Sequence, residues 1–502
     1  MAEPISIKTE PTPDPEKTQH VEARQDNDDE TEPEALYSIL PERQKILTIV
    51  ICSVITFLSP VAANMYYPAL GPLARDLHVS QSKINLTITS FKIIQAFAPL
   101  LTASLSDVNG RRPIFLLGLV VFLGSNIGLA LQGTFVALLV LRCFQSFGSS
   151  SISNVSSAAV ADLVTRAERG KYLFYATLGN TIGPAVGPVL GGILAQFMGW
   201  RSIFWFLVIM TGVMVMMVVL FLRETCRAVV GNGSLPPQPW NEPLLHMVRP
   251  VARPPPDEDT RVVFKRRPGV LDTVRIVWNK HIGLLILCSS LRFSGSMAVL
   301  STLPALLERK YNYNALQVGL CYIPYAVGGL VTRWSVGTIA DWNFRRHAHK
   351  NGVEIQQNKQ SQRQLQQIPL EKARLQITIP MMYYSCVCIL GYGWIMNYNV
   401  HVAGPLIILF LIGNSNSGVN NSLNMLVIDL HAQRPASALA AMNTFKNLAA
   451  AGMAAGALPL IDAIGIGWMG TMFAGLWVLV SPTLWAIYFF GQGWRKNQLL
   501  EE

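Results

Sequence analysis

Carboxylates are missing from the places where so apolar a chain would need them. Of the thirty aspartates and glutamates, none falls near the middle of a long apolar run, and Asp107, Asp162, Asp429 and Asp462 all sit at run ends. Charge of either sign is scarce: 14% of the 502 residues are charged and 51% are hydrophobic, where a soluble domain carries about 25% charged residues. An ordinary soluble protein is excluded, and the chain reads as a membrane protein. Cysteine is equally uninformative as chemistry. The seven are scattered, and the C-x-C of Cys386 and Cys388 has no second cluster to complete a metal site, so all read as buried thiols. None of the eight histidines is in mid-run. No nucleophile–base pair, metal spacing or phosphate loop is present, which argues against an enzyme and implies neither cofactor nor metal.

What is present is a series of twelve apolar runs of about 20 residues, the length that crosses a bilayer as a helix. They fall near 46–66, 84–105, 113–131, 135–160, 172–195, 202–222, 282–303, 316–339, 376–396, 404–428, 437–460 and 468–490. The expected fold is an all-α membrane protein of twelve transmembrane helices in two halves, 45–222 and 282–490. A polar linker, 223–281, separates the halves, and a second polar insert, 341–375, follows the eighth span. Residues 1–44 are acidic and proline-bearing with no apolar run, so they read as a disordered tail rather than a secretory signal; 491–502 form a second tail.

The net charge of +10 raises the question of nucleic acid, but the basic residues are confined to short segments between runs. Of the forty lysines and arginines, thirty fall on the side of the N-terminus. Five (Arg75, Lys83, Arg201, Arg309 and Lys310) fall on the other side. By the positive-inside rule both termini are cytosolic, and the charge concerns lipid rather than nucleic acid.

Two links repeat. Between spans two and three the chain reads ASLSDVNGRRPIF, with Asp107, Gly110, Arg111 and Arg112. Between spans eight and nine it reads GTIADWNFRRH, where Asp341 and Arg345 stand four apart, as Asp107 and Arg111 do. Matching links in two six-span halves are the mark of a transporter built from internal repeats. Span five carries GNTIGPAVGPVLGG. Gly179, Gly183, Gly187 and Gly191 lie on one helix face, and Pro184 and Pro188 follow two of them. Small residues admit a close helix neighbour, and prolines bend the backbone.

The first link resembles the loop motif of the major facilitator superfamily, with Ala103 where a glycine is usual. The span-five run looks like the antiporter motif of its drug:H+ exporters. LRETCRAVVGNGS (222–234), WRSIFWFL (200–207) and IPLEKARL (368–375) are similar to segments of fungal twelve-span drug:H+ antiporters. That group includes exporters of drugs, of secondary metabolites, and of citrate and itaconate. The resemblance runs from about residue 45 to 495. It implies alternating access around a cavity lined by spans one, four, seven and ten, with spans two, five, eight and eleven as flanking walls.

Five cations lie within spans: Lys92, Arg142, Arg292, Arg333 and Lys446. Arg333 is near enough to a span end to snorkel, Lys92 and Lys446 are near mid-span where snorkelling is hardest, and Arg142 could also tie helix backbones together. Gln95 follows Lys92 by about one turn, and Gln145 follows Arg142 likewise. In span ten Asn416, Asn420 and Asn424 repeat every fourth residue. Such groups face protein or a water-filled cavity, not lipid. Lys92, Gln95, Arg142, Gln145, Arg292, Asn416, Asn420 and Lys446 are therefore the candidate substrate-binding residues. Cations without acids suggest a carboxylated substrate that supplies the missing charge.

The expected function is efflux of a small organic anion, a carboxylic acid or an acidic secondary metabolite, coupled to H+. The chain would act as a monomer in the bilayer, with the fungal plasma membrane its expected location. Broad multidrug:H+ antiport and a transporter-like metabolite receptor are the alternatives.

Overall fold

A computed structural model describes residues 40–164, 172, 175, 176, 178–238, 241–245, 276–350, 370–398, 400–430 and 435–501. Most of the acidic tail, residues 246–275 of the linker and 351–369 of the second insert lie outside them. Among the described residues the regular structure is helical throughout.

The first half contains α1 (Glu42–Asn64), α2 (Gln81–Asn109), α3 (Arg111–Leu131), α4 (Phe135–Leu163), α5 (Leu178–Phe197) and α6 (Arg201–Phe221). The second contains α7 (Lys280–Tyr311), α8 (Ile323–Lys350), α9 (Leu370–Asn397), α10 (Ala403–Leu430), α11 (Pro435–Ile464) and α12 (Ile466–Glu501). Local chemistry sets several starts. The Ser80 and Thr134 hydroxyls accept from the amides of Lys83 and Ala137, both at 3.3 Å, to cap α2 and α4. Span eight is not one helix. A short helix, Ala315–Leu320, opens with a capping box of Asn314 and Gln317 and stops before α8. Pro324 has no amide hydrogen and disfavours a helical residue before it, so the ladder breaks there.

Eleven helical segments are long and apolar enough to cross a membrane. The remaining long helix is α10, whose asparagines at 414, 416, 420, 421 and 424 dilute its apolar run. A helix so polar is stable only inside the bundle, and α10 packs between α8 and α9. The chain thus forms a multi-pass membrane protein. Its even number of crossings puts the start of α1 and the end of α12 on one side, called here the terminal face.

Within the first half α1 packs on α5, α2 on α4, and α3 on both α4 and α6. In the second, α7 packs on α11, α8 on α10, and α9 on α12. Two seams join the halves: α2 lies along α11, and α5 meets the short helix 315–320. On the face opposite the termini the halves touch through side chains as well. Tyr67 stacks on Tyr322 with ring centroids 5.6 Å apart, and Arg75 pairs with Glu308 at 3.2 Å.

The glycine stripe of α5 packs inside the first half. Gly179, Gly183, Gly187 and Gly191 lie against Ser53, Phe57, Pro60, Asn64 and Met65 on α1, largely backbone to backbone. The neighbouring Gly192 and Pro188 instead approach Ala315 and Gly319 of the other half. A methyl at Gly179 would come within 2.7 Å of the Ser53 carbonyl oxygen, whereas Gly212 on α6 faces open space. Gly179→Ala should therefore destabilise by about 1–3 kcal/mol through overpacking, and Gly212→Ala should not. Thermal unfolding of the two variants in detergent tests this; equal melting temperatures would contradict the packing.

Candidate functional site

The four described intramembrane cations fall into two clusters, one in each half. In the first half Arg142 on α4 is 1% exposed. Its guanidinium lies 4.0 Å from the centroid of the Tyr66 ring and 4.5 Å from that of Phe91, an arrangement that compensates lost hydration through the aromatic faces. One nitrogen donates to Gln145 Oε1 at 2.5 Å, and Gln145 donates to Asn126 Oδ1 on α3 at 2.7 Å. Lys92 on α2 lies within electrostatic reach of Arg142 and donates to Gln95 Oε1 at 2.8 Å. Lys92 and Gln95 are only half-buried, so they are the open edge of this cluster.

The second half mirrors the arrangement with different parts. Arg292 on α7 is fully buried and donates to the side-chain oxygen of Asn416 at 2.6 Å and to its backbone carbonyl at 3.2 Å. Its Nε and Nη1 have no hydrogen-bond partner among the described residues. Asn416 is the hub of this cluster. It donates to the Tyr325 hydroxyl at 2.6 Å and accepts from Ser296 at 3.2 Å and from Asn420 at 3.4 Å. Lys446 on α11 donates to Asn424 Oδ1 at 3.1 Å and lies within electrostatic reach of Arg292.

Lys92, Gln95, Arg142 and Gln145 thus come together, as do Arg292, Asn416, Asn420 and Lys446. Neither arginine presents a free planar fork. One is sandwiched by aromatic rings and the other is sealed behind Asn416. Periodicity had no means of revealing Tyr66, Phe91, Asn126 or Tyr325, which look like ordinary core residues until a cation is placed beside them.

At the terminal face the loop motif forms a compact ionic network. Arg111 pairs with Asp107, and its Nε donates to Asp162 on α4 at 2.9 Å. The hub is Glu224, a residue quoted above only within a family-like segment. Buried just after α6, its carboxylate accepts from the backbone amides of Arg111 at 2.8 Å and Arg112 at 3.2 Å. It also accepts from Thr225 and Cys226 amides and, at 2.8 Å, from the Asn241 side chain. A carboxylate at the first turn of α3 complements the helix dipole. Gly110 is required beside it: its φ is +103°, and a Cβ would strike the Glu224 carboxyl group. Burial pushes the Cys226 thiol up to about 11, so it stays protonated next to this network.

At the second half's own loop motif the described side chains include Arg345, which is exposed, but not Asp341. The structural equivalent is Arg374 at the start of α9, whose Nε donates to Asp429 at the end of α10 at 3.1 Å. Arg111 and Asp162 stand at the matching ends of α3 and α4. The insert after α8 separates Arg374 from Asp341 by 33 positions, and spacing rules cannot follow a motif across that distance.

The fold and these two networks define a helical transporter built from two related halves. The major facilitator superfamily model matches residues 52–454, and the chain belongs to that superfamily, whose members are transporters and not enzymes. It is 43% identical over 466 residues to the MFS-type transporter R5 of Phoma sp., covering 92% of this chain and 88% of that one. It is 29% identical over 490 residues to the MFS antiporter QDR2 of Candida albicans, covering 96% and 94%. Among solved structures, a D-xylose-proton symporter superposes with a TM-score of 0.64 at 15% identity, over 88% of this chain and 97% of that one.

Glu224→Gln and Asp107→Asn test the network. A charge-assisted hydrogen bond is worth about 1.5–3 kcal/mol, so losing one should shift the balance between conformational states by about ten- to a hundredfold. Turnover in vesicles should fall accordingly while substrate affinity of the purified protein holds, because the network is remote from the cationic clusters. Equal loss of both would contradict a gating role.

Proposed function

We propose that the protein is a secondary active exporter that moves a small organic anion, a carboxylic acid or an acidic secondary metabolite, out of the cytosol by alternating access and coupled to protons. The observation that carries this reading is the composition of the interior. Lys92, Arg142, Arg292 and Lys446 are bonded only to amides, hydroxyl-bearing networks and aromatic faces, and no described carboxylate pairs with them. An interior with excess positive charge attracts an anion and repels cationic drugs.

The bonded acids instead sit at helix ends, and at the terminal face Asp162 and Asp429 hold Arg111 and Arg374. On this reading the proton travels through those acids or on the carboxyl group of the substrate. Because thirty of the forty lysines and arginines lie on the side of the termini, we assign that face to the cytosol. We assign the protein, as a monomer, to the fungal plasma membrane.

The test is uptake into inverted vesicles of radiolabelled mono-, di- and tricarboxylates beside a cationic dye, with and without a pH gradient. At least one carboxylate should accumulate. Arg142→Ala removes the charge behind Tyr66 and Phe91, and affinity for that acid should fall about tenfold, the effect of losing a nearby unit of charge. Arg142→Lys should rescue only part, because an ammonium has no planar face to stack between two rings. Accumulation of the dye, with every carboxylate indifferent to Arg142→Ala, would replace this reading by multidrug antiport. Saturable binding without flux would replace it by a receptor.

A further inference from the structure

The seam between α2 and α11 sets a relation between two of the cations that neither helix shows alone. The helices run antiparallel, and two hydrogen bonds across the seam fix their register. Thr89 donates to the Ala451 carbonyl at 3.2 Å, and Thr444 donates to the Ala96 carbonyl at 3.0 Å. The seven-residue step from Thr89 to Ala96 matches the step from Ala451 back to Thr444, so the register holds through the intervening turns. Lys92 is therefore level with Leu448, and Lys446 stands two residues away, about 3 Å along the axis.

From this shared level the two side chains diverge. Lys92 donates to Gln95 on its own helix, next to the Phe91 ring that covers Arg142. Lys446 turns into the second half, to Asn424 on α10, the helix whose Asn416 holds Arg292. Each ammonium has three N–H donors but one hydrogen-bond acceptor among the described residues. The acceptors, Gln95 and Asn424, are themselves half-buried. Two under-satisfied cations thus sit at one depth, one per half, on either side of the seam.

We propose that Lys92 and Lys446 are the two ends of one substrate site, and that this site takes a ligand with two separated acid groups, one held by each half. This rests on the anion-export reading and sharpens it. A monoanion satisfies one ammonium and leaves the other facing an uncharged end. A dianion satisfies both and links the halves across the seam. Arg142 and Arg292, sealed behind Tyr66 with Phe91 and behind Asn416, add field at the two ends without needing to touch the ligand. The length of the ligand is then a specificity determinant, since its acid groups must reach from one cluster to the other.

The experiment measures binding to purified full-length protein in nanodiscs. The probes are α,ω-dicarboxylates from succinate to suberate and the monomethyl ester of each, at a pH where every free carboxyl is ionised. The wild type should bind at least one diacid about tenfold or more tightly than its monoester, the size of one charge-assisted hydrogen bond. Lys92→Met and Lys446→Met should each erase that preference, and the double variant should lose no more of it than either single. Lys92→Arg and Lys446→Arg keep the charge and should keep the preference, which separates loss of charge from damage to the fold. A preference that survives in either methionine variant overturns the bridging site. Equal binding of diacid and monoester by the wild type overturns it too, while leaving anion binding intact. Binding of no acid and no ester withdraws the anion reading along with it.

Discussion

Holding cations inside a membrane without carboxylates is the constraint on which the rest of this structure depends. A charged side chain at the bilayer centre costs roughly 2.5–3.5 kcal/mol even on lenient insertion scales. Each of the four described cations meets that cost with weak, neutral partners. Arg142 is covered by two aromatic rings and a glutamine, Arg292 by one asparagine, and each lysine by a single amide oxygen. The need for such partners explains why α10 carries so many asparagines. Asn416, Asn420 and Asn424 serve Arg292 and Lys446 together, and the face of α10 that carries them turns inward while Ile407 and Met425 on the same helix stay exposed.

Charges are divided by depth. Carboxylates are used at the helix ends on both faces: Asp162 with Arg111 and Asp429 with Arg374 on the terminal face, Glu308 with Arg75 and Asp462 with Arg309 on the other. Glu224 goes further, since its five hydrogen bonds gather the start of α3, the exit from α6 and the linker into one buried knot. Removing acids from the core and concentrating them at the ends has a direct electrostatic effect. The ends are neutralised pair by pair, and the interior keeps its uncompensated positive field.

The sequence made some of this legible and hid the rest for physical reasons. Twelve spans, the α5 glycine stripe and the first loop motif could be read because hydrophobic runs and fixed spacings report local structure. Lys92 with Gln95 and Arg142 with Gln145 were legible for the same reason: a helix turn brings i and i+3 together, and both hydrogen bonds exist. The break before α8 was hidden within a continuous apolar run, although Pro324 marked it. Glu224 was hidden because the Arg111 and Arg112 amides it anchors lie more than a hundred residues away. The second ionic pair was displaced from its motif by an insert. The level of Lys92 with Lys446 depends on two threonine hydrogen bonds across an inter-half seam, and no periodicity encodes such a register.

The contacts also differ in how easily they can be exchanged. The α5 stripe meets α1 through backbone atoms at a spacing that leaves no room for a methyl group, so α5 and α1 must move as one body. Across the face opposite the termini one backbone approach is equally close, that of Gly192 and Gly319, but the side-chain contacts beside it are a stacked tyrosine pair and a part-exposed ion pair. Exposed ion pairs contribute about 0–1 kcal/mol, and a single aromatic pair about 0.5–1.5 kcal/mol. Side-chain contacts of that size are ones that two stiff halves can exchange without disturbing either packed core. The side chains that close that face, Tyr67 with Tyr322 and Arg75 with Glu308, are therefore the inter-half contacts that cost least to separate.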